Sequence, residues 1–191
     1  MILKKASFKA MKYSCLKFHY AKTVPINPVG YSVFNKKNEW CGCVIYGYGA
    51  NPNLAKSVNL RQGQVAELTR MALNGKQEVT SKVLALSIKL FKKENTLIKL
   101  LISFADKNQN HKGTIYQATN WHYTGLSKST PKWLIDGVWK HQRTALKNGI
   151  KNLPKDIQKK QQKDKIRYYY PLDKSLINFC KELSKPYLKN A

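Results

Sequence analysis

Between residues 102 and 125 the chain reads ISFADKNQNHKGTIYQATNWHYTG, which gathers Asp106, His111, Tyr116, Gln117, Asn120, His122 and Tyr123. A carboxylate can take a proton within hydrogen-bond reach, imidazoles and phenols can give or take one, and the Gln and Asn amides each offer a paired donor and acceptor. The run ahead of them, Leu97 to Phe104, is apolar except for Lys99 and Ser103 and predicts a strand buried on both faces, as in a parallel or mixed sheet. Ligands in such sheets bind outside the carboxyl ends of strands, which is where these polar residues begin. The same residues also suit an ordinary strand-to-helix connection, with Asp106 as a turn or N-cap residue and Asn120 as a helix C-cap.

Hydropathy spacing predicts the elements that would position them. Phe8, Met11, Cys15 and Phe18 recur at helical spacing with lysines between, predicting an amphipathic helix that delivers His19 and Tyr20 at its end. KTVPINPVG is a loop; Tyr31 to Phe34 and Glu39 to Tyr48 then form a hairpin across NKKN, with a weak spot at Gly42. QVAELTRMAL, Gln64 to Leu73, is open between strand and helix, because Val65, Leu68 and Met71 keep helical spacing. Ser81 to Lys93 carries a broad apolar face opposite Lys82, Lys89 and Lys93 and predicts a core helix. A short helix over Thr114 to Thr119 and an aromatic strand over Trp121 to Leu126 follow. Beyond Pro131, the spacing of Trp133, Leu134, Val138 and Trp139 predicts a further helix, RYYYPL a late strand, and Leu176 to Leu183 a terminal helix. The expected fold is α/β, an α+β mixed sheet flanked by helices. Its length of 191 residues suits one core, with residues 131–191 a basic segment completing the same domain as residues 1–130.

The net charge of +25 is far beyond what solubility needs and points to a polyanionic partner, nucleic acid first. Only Arg61, Arg70, Arg143 and Arg167 are arginines, so the field comes from lysine, a point charge suited to sequence-tolerant phosphate contact. Segment 140–167 is dominated by Lys and Arg and reads either as a solvated face or as an arm that tracks DNA. No apolar run reaches membrane-spanning length and the N-terminal stretch lacks a signal-peptide core, so an intracellular, cytoplasmic protein with no membrane partner is expected. Of the four cysteines, Cys41 and Cys43 flank Gly42 in an alternating pattern that puts both thiols on one sheet face, as buried thiols rather than a zinc site.

The order of helix, hairpin, ELTRMAL, long helix, buried strand, short helix and aromatic strand resembles the GNAT acyltransferase fold. The segments FHY (18–20), ELTRMAL (67–73), ISFAD (102–106) and HKGTIYQATNWHYTG (111–125) resemble, in that order, the phage Mom family of DNA-modification proteins. That resemblance implies an enzyme placing a methylcarbamoyl-like group on the exocyclic amine of adenine in double-stranded DNA, as protection from restriction. By motif position it implies His19, Tyr20, Arg70, Asp106 and Tyr116 as catalytic residues. The amine is a poor nucleophile, so a base must remove its proton as the new bond forms, a role for Asp106. Tyr116 and Tyr123 can stack on an extruded base, Gln117 and Asn120 have amides suited to adenine, and Arg70 can clamp a phosphate or carboxylate or pair with Glu67.

GNAT acyltransferases hold an acyl-CoA donor on a Gly-rich loop at a helix N-terminus. Here the equivalent stretch is NGKQEVTSK with only Gly75, so Ser81, capping the following helix, is the residue left to bind an anionic donor, and the donor stays open. The family also brings iron into consideration, with His19, Tyr20 and Asp106 as chemically plausible ligands. Two other functions fit the sequence: a non-catalytic nucleic-acid-binding protein on a degenerate GNAT-like scaffold, and an acyltransferase acting on RNA or protein.

Overall fold

The computed structural model describes residues 1–49, 53–141 and 156–188. A central sheet of seven strands has the order β1-β2-β3-β4-β5-β10-β6, formed by β1 (Ile2–Lys5), β2 (Val29–Phe34), β3 (Trp40–Gly47), β4 (Val65–Leu73), β5 (Leu100–Ala105), β6 (His122–Ser127) and β10 (Lys165–Pro171). Every neighbouring pair is antiparallel except β4 and β5. Helix α1 (Phe8–Phe18) starts on Ser7, whose side chain accepts from the Ala10 amide, and it buries Met11 and Cys15 against Cys43 and Ile45 on one sheet face. On the other face α2 (Thr80–Glu94) sets Val83, Leu84, Ile88 and Phe91 against Tyr31, Tyr46, Leu68 and Leu101. The short α3 (Thr114–Gln117) adds Tyr116 to that cluster, and α4 (Ile177–Glu182) buries Cys180 against Val65, Leu100 and Ile102. Strand β5 is thus covered on both sides, as its apolar run demands.

Two β-bulges shape the sheet. Val33 pairs with Gly42 but Phe34 with Trp40, so Cys41 is an extra residue and Gly42 takes φ of +115°. The bulge turns Cys41 toward the α2 side while Cys43 stays on the α1 side, so the two thiols lie on opposite faces rather than together. In β4, Ile45 pairs with Arg70 and Tyr46 with Leu68, leaving Thr69 as the extra residue. QVAELTRMAL is therefore a bulged strand despite its helical spacing, because the β3 edge takes its backbone groups.

The parallel β4–β5 ladder is short. Only Val65–Glu67 pair with Leu100–Ile102; farther on, β4 stays with β3 and β5 with β10. The sheet consequently opens between the carboxyl ends of β4 and β5.

The region after Pro131 departs from the expected helix. Lys132–Ile135 (β7) and Val138–His141 (β8) form a hairpin around Asp136 and Gly137, whose φ values of +51° and +72° are those of a two-residue turn with both residues left-handed. The Asp-Gly pair decides between two structures that the spacing of Trp133, Leu134, Val138 and Trp139 serves equally well. With β9 (Lys159–Lys160) the hairpin makes a second sheet of order β8-β7-β9, inserted in the chain between β6 and β10. Part of the basic run at 140–167 lies outside the described residues.

Candidate active site

The opening between β4 and β5 is a cavity of about 550 Å³, and four of the five residues singled out as catalytic line it: His19, Tyr20, Arg70 and Tyr116. Three separate parts of the chain bring them there. The end of α1 supplies His19 and Tyr20, the bulge of β4 supplies Arg70, and α3 supplies Tyr116. Phe18, Leu68, Met71 and Phe104 add apolar wall.

Asp106 follows the last residue of β5 and stands behind the lining rather than in it. It does what the turn reading expects: Oδ1 accepts from the Asn108 amide (2.9 Å) and from Asn108 Nδ2 (2.9 Å), capping a short 3-10 turn. Its other oxygen, Oδ2, accepts from the Tyr20 hydroxyl at 3.3 Å. Burial opposes the charge of Asp106, but the Asn108 bonds, the nearby Lys165 ammonium and the Tyr20 hydroxyl outweigh it and hold the carboxyl below its ordinary range. A buried, ionised acceptor sits at the cavity wall as a result.

His19 is buried and its pKa is lowered to about 4, by desolvation first and then by the charges of Arg70, His111 and Lys22. Its Nδ1 accepts from the Ala21 amide at 3.1 Å, so the neutral ring carries its proton on Nε2 and is a donor. Tyr20 stacks on it with centroids 4.4 Å apart and is 45% exposed, and the edge of His111 meets Tyr20 at 5.8 Å. Burial and the Asp106 charge raise the Tyr20 pKa, so this phenol keeps its proton.

The Arg70 guanidinium bonds a backbone carbonyl and a hydroxyl. Its Nη1 donates to Thr69 O at 2.7 Å and Nη2 to Thr23 Oγ1 at 3.2 Å, while Nε is buried with no hydrogen-bond partner among the described residues. A guanidinium in this condition suits an anionic or carbonyl oxygen entering the cavity.

Tyr116 is not free to act as a stacking platform. One ring face lies on Tyr168 at 4.7 Å and the ring meets Trp121 edge to face. Ser103 Oγ gives its proton to Leu68 O at 2.9 Å, so the Tyr116 hydroxyl must donate to Ser103 Oγ, also at 2.9 Å, and only its lone pairs remain for a ligand. Burial pushes this phenol up to about 12.

The other sequence candidates fall outside the cavity lining. Asn120 takes φ of +60° in the turn that ends α3, and its amide donates to Gln117 O. The Gln117 side chain lies beside Tyr168, and Tyr123 is buried against the same ring. Ser81 does not cap α2. The helix begins at Thr80 with Val79 as N-cap and no side-chain cap bond. Residues that sequence reasoning passed over include Thr69, Lys112 and Asn108. Asn108 carries no signal beyond its place two residues after Asp106.

Among the described residues no three His, Cys, Asp or Glu side chains gather into a metal-holding group. His19 Nδ1 accepts from the Ala21 amide and Nε2 carries the ring proton, so His19 as it stands has no free lone pair for a metal and does not fit an iron centre. An acyl-CoA pyrophosphate fits no better. The loop from Asn74 to Val79 is tied to the β2–β3 turn by Asn35 Nδ2 to Lys76 O and by the Lys36 amide to Glu78 Oε1, and it brings the Glu78 carboxylate to the start of α2 where the phosphates would need to be.

No helix among the described residues is long and apolar enough to cross a membrane. In overall shape the chain is similar to solved acetyltransferases. It matches a spermidine/spermine N-acetyltransferase from Vibrio cholerae with TM-score 0.52 and 10% identity, covering 93% of this chain and 98% of that one. It matches a Bacillus subtilis acetyltransferase in complex with CoA with TM-score 0.51 and 10% identity, over 88% and 97%. At such identities the likeness speaks for the fold, which is the GNAT fold. In sequence it is 32% identical over 114 residues to the methylcarbamoylase Mom of Escherichia phage Mu, over 56% of this chain and about half (47%) of that protein's length. The model of the Mom protein family matches residues 1–189, nearly the whole length, and the chain belongs to the Mom protein family.

Proposed function

We propose that this protein is a DNA-modifying transferase that places a methylcarbamoyl-like group on N6 of adenine in double-stranded DNA and so protects the DNA from restriction. The observation that carries the reading is the convergence, on one cavity, of residues drawn from motifs far apart in the family-matched chain: His19 and Tyr20, Arg70, and Tyr116, with Asp106 bonded to Tyr20 at the wall. The name of the phage Mu relative supplies the group transferred. The net charge of +25 supplies affinity for a duplex, and a phage-encoded enzyme of this kind would work in the host cytoplasm, where that duplex is.

The chemistry follows from the protonation states. Adenine in a duplex is stacked, so the base must be turned out to reach a cavity in a sheet. Its exocyclic nitrogen bonds to the carbon of the donor as the leaving group departs, and the N6–H becomes strongly acidic only as that bond forms. A carboxylate of lowered pKa is then a competent acceptor. The role assigned to Asp106 is to take that proton through Tyr20, which lines the cavity and whose hydroxyl passes its own proton to Oδ2 as it receives the one from N6. His19 through Nε2–H and the Arg70 guanidinium, both in the cavity lining, are donors for oxygens that gain charge on the donor group, worth roughly 10²-fold or more each in rate where such donors have been removed elsewhere. Arg70→Ala should therefore lower the modification rate at saturating DNA by about 10²-fold. Equal rates for the two proteins, followed by mass spectrometry of digested DNA, would remove Arg70 from the site.

A further inference from the structure

The second sheet sits on a short tether at the catalytic carboxylate. Its chain enters from β6 through 128–131 and returns to β10 through 161–164, and the Ser129 amide donates to Asp164 Oδ1 (3.1 Å) across the two connections. On the return, Asn108 grips the Lys163 backbone from both sides. Its Oδ1 accepts from the Lys163 amide at 3.0 Å and its Nδ2 donates to Lys163 O at 3.3 Å, as a neighbouring strand would. The same Asn108 gives its backbone and side-chain N–H groups to Asp106 Oδ1. One side chain thus joins the base of the second sheet to the carboxylate.

The register of that sheet sorts its side chains. Lys132 stands opposite His141 on β8 and opposite Lys160 on β9, while Leu134 stands opposite Trp139, so Lys132, Trp139, His141 and Lys160 share one face. The Lys160 ammonium lies 6.0 Å from the centre of the Trp139 ring, which is 37% exposed. Cationic side chains interleaved with an accessible aromatic on a narrow sheet complement a phosphate backbone and neighbouring sugars, and a two-stranded ribbon such as β7–β8 is narrow enough to enter a duplex groove.

We propose that this three-stranded sheet is the surface that grips duplex DNA, and that Asn108 is the positioning residue that registers it on Asp106. The proposal rests on the reading of the protein as a DNA-modifying enzyme, but its test does not need activity. Binding of a fluorescently labelled duplex is measured by anisotropy over a salt series. Lys132→Ala/Lys160→Ala should lower the slope of log affinity against log salt by about 2 units. The same two charges removed from the outer face of α2, Lys89→Ala/Lys93→Ala, should leave the slope at the wild-type value. Equal slopes for the sheet variant and wild type would overturn the surface.

For the coupling, the Asp106 carboxyl is titrated by NMR. Tyr20, Lys165 and His111 also face this region, and they are kept in both proteins. Both variants keep the backbone bond to Oδ1; Asn108→Ala should raise the Asp106 midpoint, and Asn108→Ser, whose hydroxyl replaces one side-chain donor, should raise it less and serves if the alanine variant does not fold. Midpoints that match wild type would overturn the positioning role. If wild-type DNA carries no modified adenine while both arms behave as stated, the reading of the activity fails and the gripping sheet stands.

Discussion

The two oxygens of Asp106 do different work: Oδ1 holds the turn through Asn108, and Oδ2 meets Tyr20 at the cavity wall. Asp106→Asn keeps an acceptor for Asn108 but cannot take a proton, so it should cut DNA modification by at least about 10²-fold while duplex binding by anisotropy stays at the wild-type level. Retained modification in this variant would contradict a base role. His19 gives a second test. Its pKa falls from an ordinary value near 6.5 when unfolded to about 4 when folded, so the unfolded chain binds more protons between those values. The contribution is fully present above pH 6.5, is lost as pH falls toward 4, and reaches roughly 3 kcal/mol for a shift of this size. His19→Gln should flatten that part of the stability curve in urea melts, and curves of equal slope would count against the buried neutral ring. At this scale the sequence was legible where a motif named a residue, as for His19, Tyr20 and Arg70. It was silent on Asn108, whose partner Lys163 is fifty-five positions away and reached only through the second sheet. Tyr116 was legible as a site residue and RYYYPL as a strand, yet no local pattern announces that Tyr168 of that strand stacks on Tyr116.

Elements with a strong local period were readable: α1 and α2 from their apolar faces, β5 from a run apolar on both sides. Where two periods fit, tertiary pairing or a turn decided. Val65, Leu68 and Met71 suit a helix, but β3 claims the backbone, and Trp133 to Trp139 suits a helix until Asp136 and Gly137 fold it into a hairpin. Bulges were the least legible, because one inserted residue reverses every face beyond it, as Cys41 and Cys43 show. The β3 bulge also yields a prediction. At Gly42, with φ of +115°, an added Cβ would lie 2.1 Å from Ala72 O, whereas at Gly75, with φ of +86°, it would meet nothing within 4 Å. Gly42→Ala should cost well over 2 kcal/mol in chemical denaturation, and Gly75→Ala about 1 kcal/mol, from backbone strain alone. Similar costs at the two sites would show that β3 and β4 are less closely paired there.

Across the whole molecule, three features bear on one purpose. A GNAT-type sheet opens between β4 and β5 to make the cavity, a second sheet carries lysines and tryptophan to its edge, and 35 Lys and Arg against 10 Asp and Glu give a field felt by any polyanion. Charge alone would equally serve a protein that only coats nucleic acid, but such a protein has no need of a buried ionised carboxylate, a neutral imidazole donor and a guanidinium at one opening. Expression of the chain, followed by digestion of cellular DNA to nucleosides and mass spectrometry, separates the two most directly. A deoxyadenosine species heavier by a methylcarbamoyl-like group is expected with wild type and is lost with Asp106→Asn. Unmodified deoxyadenosine from cells that hold abundant folded wild-type protein would contradict it.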